Sequence, residues 1–358
     1  MSVTMRDIAR SAGVSLATVD RVLNGRGARP ATEKRVRDAA NSLNYKRNVN
    51  AIRLNRRGRR RFRVFLPDVK ALFVQMLADI VRDQAAELAA SGVSIEVVHF
   101  DQTKVKALAN ELRIASQHVD GIAMLAPSEP AIVEAVDDIT ASGVPVVTLV
   151  SDQPASRRIG FAGVDNVAAG RAGADLLGRM LAGRSGSVVI VMPRLQVDDH
   201  RRRVVGFHAV FADSYPQFPI VECRFPEGSL DEVAEQVQEV LATTDNVAGV
   251  LSTGGNTRAV VKAIDAVALD PRPVFVGYDL TPTSRRYLAE GDMDAVIAQS
   301  PVDQVTMTVD MLMRASDGEP IEAGAGNANI EIFMRYNLPP AGRLDHAVAQ
   351  RAKETLIT

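Results

Sequence analysis

Thr4-Met-Arg-Asp-Ile-Ala-Arg-Ser-Ala-Gly-Val-Ser-Leu-Ala-Thr-Val-Asp-Arg-Val-Leu-Asn24 opens the chain as two short helices joined by a tight turn. Thr4, with Asp7 three residues on, is close to a capping box, so a helix starts at Met5. Ile8, Ala9 and Ala12 give it a small apolar face. Gly13 stands where a helix ends and the backbone takes positive φ. Ser15 then caps a second helix, Leu16–Leu23, whose Val19 and Val22, with Val14, pack back on the first. The pattern is a helix-turn-helix. Leu16, Ala17, Thr18 and Arg21 sit near the start of its second helix, the end that meets base edges in such motifs.

Charge supports a polyanion partner for this end alone. Residues 1–61 carry 16 Lys and Arg against 4 Asp and Glu, whereas the remainder has 26 basic against 39 acidic residues. The net charge of −1 hides that asymmetry. A third helix is expected over about 31–43, where Val36, Ala39, Ala40 and Leu43 recur at helical spacing. Residues 47–61 read as a hinge helix followed by a basic linker. A helix this short is unstable alone in water and needs a second subunit or DNA against it.

Several motifs together resemble the DNA-binding head of the LacI/GalR family of bacterial repressors. They are Thr4-Met-Arg-Asp-Ile-Ala, Ala12-Gly-Val-Ser, Ala17-Thr-Val-Asp-Arg-Val-Leu-Asn24, Leu43-Asn-Tyr45 and Asn48-Val-Asn-Ala-Ile-Arg-Leu54. The resemblance implies that Leu16 and Ala17 dominate base choice, with Arg21 beside them. It implies DNA contacts from Thr4, Ser15, Thr18, Asn24 and Asn48, a hinge position at Ala51, and a minor-groove wedge at Leu54. It further implies a homodimer on a pseudo-palindromic operator. Asp20 departs from the family, which has Ser there. The loop Gly25-Arg-Gly-Ala-Arg-Pro30 and Arg47, where a Pro is usual, depart as well.

From Phe62 the pattern becomes strand and helix in alternation. Strands are expected at 62–67, 94–100, 121–125, 144–150, 159–164, 187–192, 220–225, 247–251 and 274–278, with helical spacing after all but 144–150, which leads to the next strand. Alternating βα units imply parallel, doubly wound sheets, and so many units in this length imply two lobes. Ligands bind such sheets at the carboxyl ends of strands. The body resembles the type I periplasmic sugar-binding fold that the same family carries as its sensor. The expected fold is thus an all-α head, a hinge helix and an α/β two-lobed body. The head spans 1–46, the hinge and linker 47–61, the effector-binding and dimerisation domain 62–340 and a tail 341–358. The resemblance places three crossings between lobes near 163, 293 and 325. Lobe 1 is then about 62–163 and 294–325, and lobe 2 about 164–293 and 326–340. It also implies an effector site. Arg203 sits in an Arg-x-x-Gly-Phe motif, Asp279 ends a strand, Gln299 precedes Ser-Pro, and Phe73 is an aromatic near the first helix of the body. Ser151, Asp152 and Asn256 follow strands in equivalent places. A carboxylate and a guanidinium suit paired hydroxyls, so the expected effector is a sugar or a sugar derivative. Arg203 could instead pair with Asp198 or Asp199, and Phe73 could be core.

Other classes are disfavoured. No Walker loop, dinucleotide glycine fingerprint or metal-ligand cluster appears, and the five histidines are scattered, so neither an enzyme nor a cofactor is expected. No stretch approaches the roughly 18 apolar residues of a membrane span, and the first residues do not form a secretory signal. The one cysteine, Cys223, lies in an apolar run and is expected to be buried in a reducing compartment. The expected setting is the bacterial cytoplasm, on the nucleoid. The competing expectation is a regulator answering to a partner protein or to no ligand, with the cleft vestigial.

Overall fold

The computed structural model describes residues 5–23, 28–43, 59–125, 127–193, 198–225 and 228–340. Thr4, Asn24, Asn48, Ala51 and Leu54, the hinge helix and the tail lie outside the described residues. The head has helices α1 (Met5–Ala12), α2 (Leu16–Leu23) and α3 (Pro30–Ser42). Their small core is Ile8, Ala12, Val19, Val22, Val36 and Ala39, with Met5, Ala9, Val14, Ala40 and Leu43 packed around it. Gly13 takes φ +62°, and the Val14 amide donates to the Ala9 carbonyl at 3.1 Å, closing α1. The Ser15 hydroxyl accepts from the Thr18 amide at 3.2 Å and starts α2.

The body holds two sheets. The first is built from β1 (Arg60–Pro67), α4 (Leu72–Leu88), β2 (Val93–Phe100), α5 (Val105–Ser116), β3 (Gly121–Met124), α6 (Pro130–Ala141), β4 (Val146–Leu149) and β5 (Gly160–Ala162). Its strands are all parallel, in the order β2-β1-β3-β4-β5. The second lobe runs through α7 (Asn166–Met180), β6 (Ser187–Pro193), α8 (Asp198–Ser214), β7 (Ile220–Phe225), α9 (Leu230–Thr243), β8 (Val247–Ser252), α10 (Thr257–Val267), β9 (Val274–Tyr278), α11 (Pro282–Glu290) and β10 (Ala295–Gln299). After it come α12 (Pro301–Ser316) and β11 (Ile330–Phe333). The second sheet has the order β11-β10-β9-β8-β6-β7, with only β11 antiparallel.

Alternation along the strands splits each core into two layers. Phe62, Val64 and Leu66 meet α4 and α12 on one face of the first sheet, while Phe65 meets α5 and α6 on the other. Val188 and Ile190 pack under α7 and α8, and Val189 and Val191 under α9, α10 and α11. Both faces are covered, which parallel sheets require. Cys223 is buried in the second of these layers, and burial pushes its thiol up to about 11.

The structure corrects two boundaries and the direction of one strand. The first strand begins at Arg60, not at 62. Arg60 bonds to Ser316 and Asp317 at the end of α12, so it belongs to lobe 1 rather than to a linker. The second change of lobe falls after Gln299, not near 293. Residues 295–297 pair with β9, and only α12 returns to the first lobe. An antiparallel strand, β11, ends the second sheet, which is therefore not wholly parallel. The other two changes of lobe are joined to each other. The Gly163 amide donates to the Gly326 carbonyl at 3.0 Å, and the Ala328 amide to the Gly163 carbonyl at 2.9 Å.

Helices α7 and α8 touch backbone to backbone. A Cβ on Gly170 would lie 2.0 Å from the Arg203 carbonyl oxygen, and one on Gly206 would lie 2.1 Å from that of Val167. Only glycine permits this approach, which sets the height of Arg203 above the sheet. Gly170→Ala is expected to cost about 1–3 kcal/mol through overpacking. It should lower the urea midpoint of the body, read by circular dichroism. An unchanged midpoint would contradict the contact.

Candidate functional site

The head presents one outer face. On α2, Val19 and Val22 point inward, while Leu16 (42% exposed), Ala17 and Arg21 point to solvent. An exposed leucine at the start of a helix gains nothing for the fold and is available to a partner. The Thr18 hydroxyl lies 2.8 Å from that of Ser15, so both are held at the helix start. The side chains of Thr4, Asn24, Asn48, Ala51 and Leu54 lie outside the described residues.

The second site is at the carboxyl ends of the second sheet, where the strand order reverses between β6 and β8. Arg203, on α8, is 1% exposed. Its Nε donates to Asn166 Oδ1 at 2.9 Å and its Nη1 to the Thr253 carbonyl at 2.7 Å. Its guanidinium carbon sits 4.5 Å from the centre of the Tyr278 ring, a cation–π geometry. Its Nη2 is 3.7 Å from Asp199 Oδ2. Asp279 follows β9 in the left-handed region, φ +66°, which turns its carboxylate back over the strand ends. Gln299 Nε2 donates to Asp279 Oδ1 at 3.0 Å. His200 Nδ1 lies 2.9 Å from the Thr253 hydroxyl. The groups converge at Gly254, whose φ is +135°. A Cβ there would lie 3.0 Å from Arg203 Nη1, 3.0 Å from His200 Cε1 and 3.6 Å from Asp279 Oδ2.

Burial controls the charges. It pushes the Asp279 carboxyl above the usual carboxylate range, against the opposing pull of Arg203 and the Gln299 hydrogen bond. It holds the His200 imidazole below its ordinary range, although Asp199 pulls the other way. Thr253, His200 and Asp199 stand in the order hydroxyl, imidazole, carboxylate that nucleophilic catalysis uses. Thr253 is fully buried, however, and His200 Nε2 is 3.8 Å from Asp199, beyond hydrogen-bond length. Among the described residues no group of three or more His, Cys, Asp or Glu could hold a metal ion. No described helix is long and apolar enough to cross a membrane. The cluster offers donors from Arg203 and an acceptor in Asp279, which suits a small molecule rich in hydroxyls.

Of the residues expected from sequence, the structure brings together Arg203, Asp279 and Gln299. Asp152 is committed elsewhere. It forms a two-point ion pair with Arg158, and its Oδ1 also accepts from the Thr148 hydroxyl at 2.8 Å, so it clamps its own loop. Phe73 is packed into the first lobe's core. Ser151 is buried after β4, and its hydroxyl has no hydrogen-bond partner among the described residues. Asn256 is exposed at the start of α10, at φ +49°, and its side chain makes no cap bond. Asn166, Asp199, His200, Thr253 and Tyr278 were not singled out as site residues. Asp199 and His200 lie four and three residues before Arg203 on α8, and Tyr278 directly precedes Asp279, so helical spacing and adjacency were the available signals. Of the two alternative partners for Arg203, Asp198 is taken by Arg201 and Arg202, whereas Asp199 Oδ2 lies 3.7 Å from Arg203 Nη2, within ion-pair range.

Comparison with known proteins follows the same division. Residues 63–320 match the family described as periplasmic binding protein domain. Residues 4–48 match that of bacterial regulatory proteins, lacI family. Catabolite control protein A of Priestia megaterium is 27% identical over 245 residues, 67% of this chain and 70% of that one. The protein of the same name from Staphylococcus xylosus is 36% identical over 149 residues, 41% of this chain and 44% of that one. Among solved structures, a putative LacI transcriptional regulator from Bacteroides fragilis superposes with a TM-score of 0.70 at 16% identity, covering 78% of this chain and 98% of its own. A glucose-galactose binding protein from Geobacillus stearothermophilus gives 0.69 at 23% identity, covering 78% and 99%. A carbohydrate transporter solute binding protein from Agrobacterium radiobacter, in complex with D-arabinose, gives 0.71 at 19%, covering 81% and 98%. At these identities the superpositions establish the fold. The chain belongs, over residues 63–320, to the periplasmic binding protein domain family, and carries ahead of it in the same polypeptide a helix-turn-helix head that matches the lacI family of bacterial regulatory proteins.

Proposed function

We propose that this regulator is a homodimeric transcriptional repressor whose operator affinity is set by a small sugar or sugar derivative held between the lobes. It works in the cytoplasm, on the nucleoid. The observation that carries the reading is the buried Arg203–Asp279–Gln299 cluster at the strand ends, on the same chain as a recognition helix with Leu16, Ala17 and Arg21 exposed. The guanidinium and carboxylate suit adjacent sugar hydroxyls. The glucose-galactose binding protein and the D-arabinose complex share this fold.

Two heads would place their recognition helices in successive major grooves of a pseudo-palindrome. Paired hinge segments would seat Leu54 in the minor groove between them. The effector acts by binding one lobe arrangement better than the other, which shifts the hinge between DNA-competent and incompetent states. Catalysis has no part in this scheme.

A thermal-shift screen against pentoses, hexoses, sugar alcohols, sugar acids and nucleosides tests the sensor. A sugar at about a hundred times its Kd stabilises the folded body by about 2.7 kcal/mol and raises Tm. Arg203→Ala and Asp279→Ala should each abolish that rise while leaving DNA binding intact. A rise that survives both substitutions contradicts the site.

Affinity for that sugar should also depend on pH. Hydroxyls that donate to Asp279 favour its ionised form, so binding lowers its raised carboxyl value and releases a proton. Affinity is therefore full above the raised carboxyl range and falls as pH drops through it. Calorimetry in two buffers of different ionisation heat should show proton release there. Proton uptake would contradict the sign.

A further inference from the structure

Gln304 is fully buried on α12, in the first lobe. Its Nε2 donates to Gln299 Oε1 at 2.7 Å, and Gln299 Nε2 in turn donates to Asp279 Oδ1 at 3.0 Å. Gln299 and Asp279 are also buried, and both belong to the second lobe. A continuous line of amide hydrogen bonds therefore starts on a lobe 1 helix, passes the crossing at residue 300 and ends on the carboxylate of the cleft.

Stability does not account for a glutamine at this place. Val305, Val309, Met311 and Leu312 on the same helix are buried in the first lobe's core. The Gln304 Oε1 has no hydrogen-bond partner among the described residues. A buried amide left half satisfied is worse for the fold than an apolar side chain of its size. What the amide does provide is direction. An amide side chain has a donor end and an acceptor end. The Gln304 donor fixes the Gln299 oxygen toward α12, and this leaves the Gln299 nitrogen facing Asp279.

We propose that Gln304 is a positioning residue for the cleft: it orients the Gln299 amide toward Asp279 and so couples the effector carboxylate to the first lobe. The proposal rests on the reading of this cluster as the effector site. A ligand that pulls on Asp279 then changes a hydrogen bond that ends on α12, and a shift of α12 changes the donor that Asp279 meets.

The test is the titration of the Asp279 carboxyl in the full-length, sugar-free protein. It is read by ¹³C NMR of aspartate-labelled wild type, Gln304→Met, Gln299→Met and the double variant, each checked for folding by its unfolding midpoint. Arg203, Asp199 and His200 also face Asp279 and are unchanged throughout. Gln304→Met should raise the carboxyl midpoint by about one pH unit, the worth of one oriented hydrogen bond. Gln299→Met should raise it as much, and the double variant no further, because the two act in series. If Gln304→Met does not fold, Gln304→Leu gives the same reading. A midpoint unmoved by Gln304→Met but raised by Gln299→Met overturns the relay, as does additivity in the double variant. Because no sugar is added, a failed relay and a failed sugar sensor give separate results.

Discussion

A full positive charge buried under an aromatic ring is the constraint around which the second lobe is arranged. Removing a guanidinium from water is costly unless its donors are met. Here a carbonyl of the β8 loop, the Asn166 amide and the Tyr278 face meet them. None of these cancels the charge, and Asp199 stands off at 3.7 Å. The arrangement needs α7 and α8 in backbone contact through Gly170 and Gly206, and it needs no side chain at residue 254. A polar cluster with this much backbone built around it is held in one fixed arrangement, as the proposed effector site requires.

The same cluster reaches across both ends of the crossing region. Asn166, which accepts from Arg203, also donates to the Val164 carbonyl at 3.4 Å and to the Val150 carbonyl of the first lobe at 3.5 Å. Gln304 does the corresponding work at the other side of the cleft. Arg203 is thus tied to lobe 1 through one amide side chain, Asn166, and Asp279 through two in series, Gln299 and Gln304. Hydrogen bonds between the lobes therefore end on groups of the cluster, so a change of lobe orientation would alter them, as the proposed switch requires.

Much of this was legible in the residues. Periodicity of two and of 3.6 located most of the body elements to within a few residues, since buried parallel strands read as short apolar runs between helices. Arg203, Asp279 and Gln299 were legible because each sits at a motif position beside a strand end. The ion pair of Asp152 with Arg158 was not legible, because Arg158 lies beyond a turn and a partner six residues away has no periodic signal. The crossing after Gln299 was placed early because Val296-Ile-Ala298 would suit either lobe, and only pairing with β9 decides. The strand at Ile330–Phe333 was missed because it is a four-residue, half-exposed edge with no helix after it. Gln304 reads in sequence as one polar residue within an amphipathic helix, and only the folded crossing shows its partner.

The central claim is that occupation of the cleft changes grip on DNA. Fluorescence anisotropy of full-length protein on DNA it has itself selected from a random pool, with and without a saturating sugar that raises its Tm, measures that coupling directly. The account predicts a change in operator Kd of at least about 5-fold, the lower range of allosteric coupling, and no change in Asp279→Ala. An operator Kd that stays the same while the sugar is bound would contradict it.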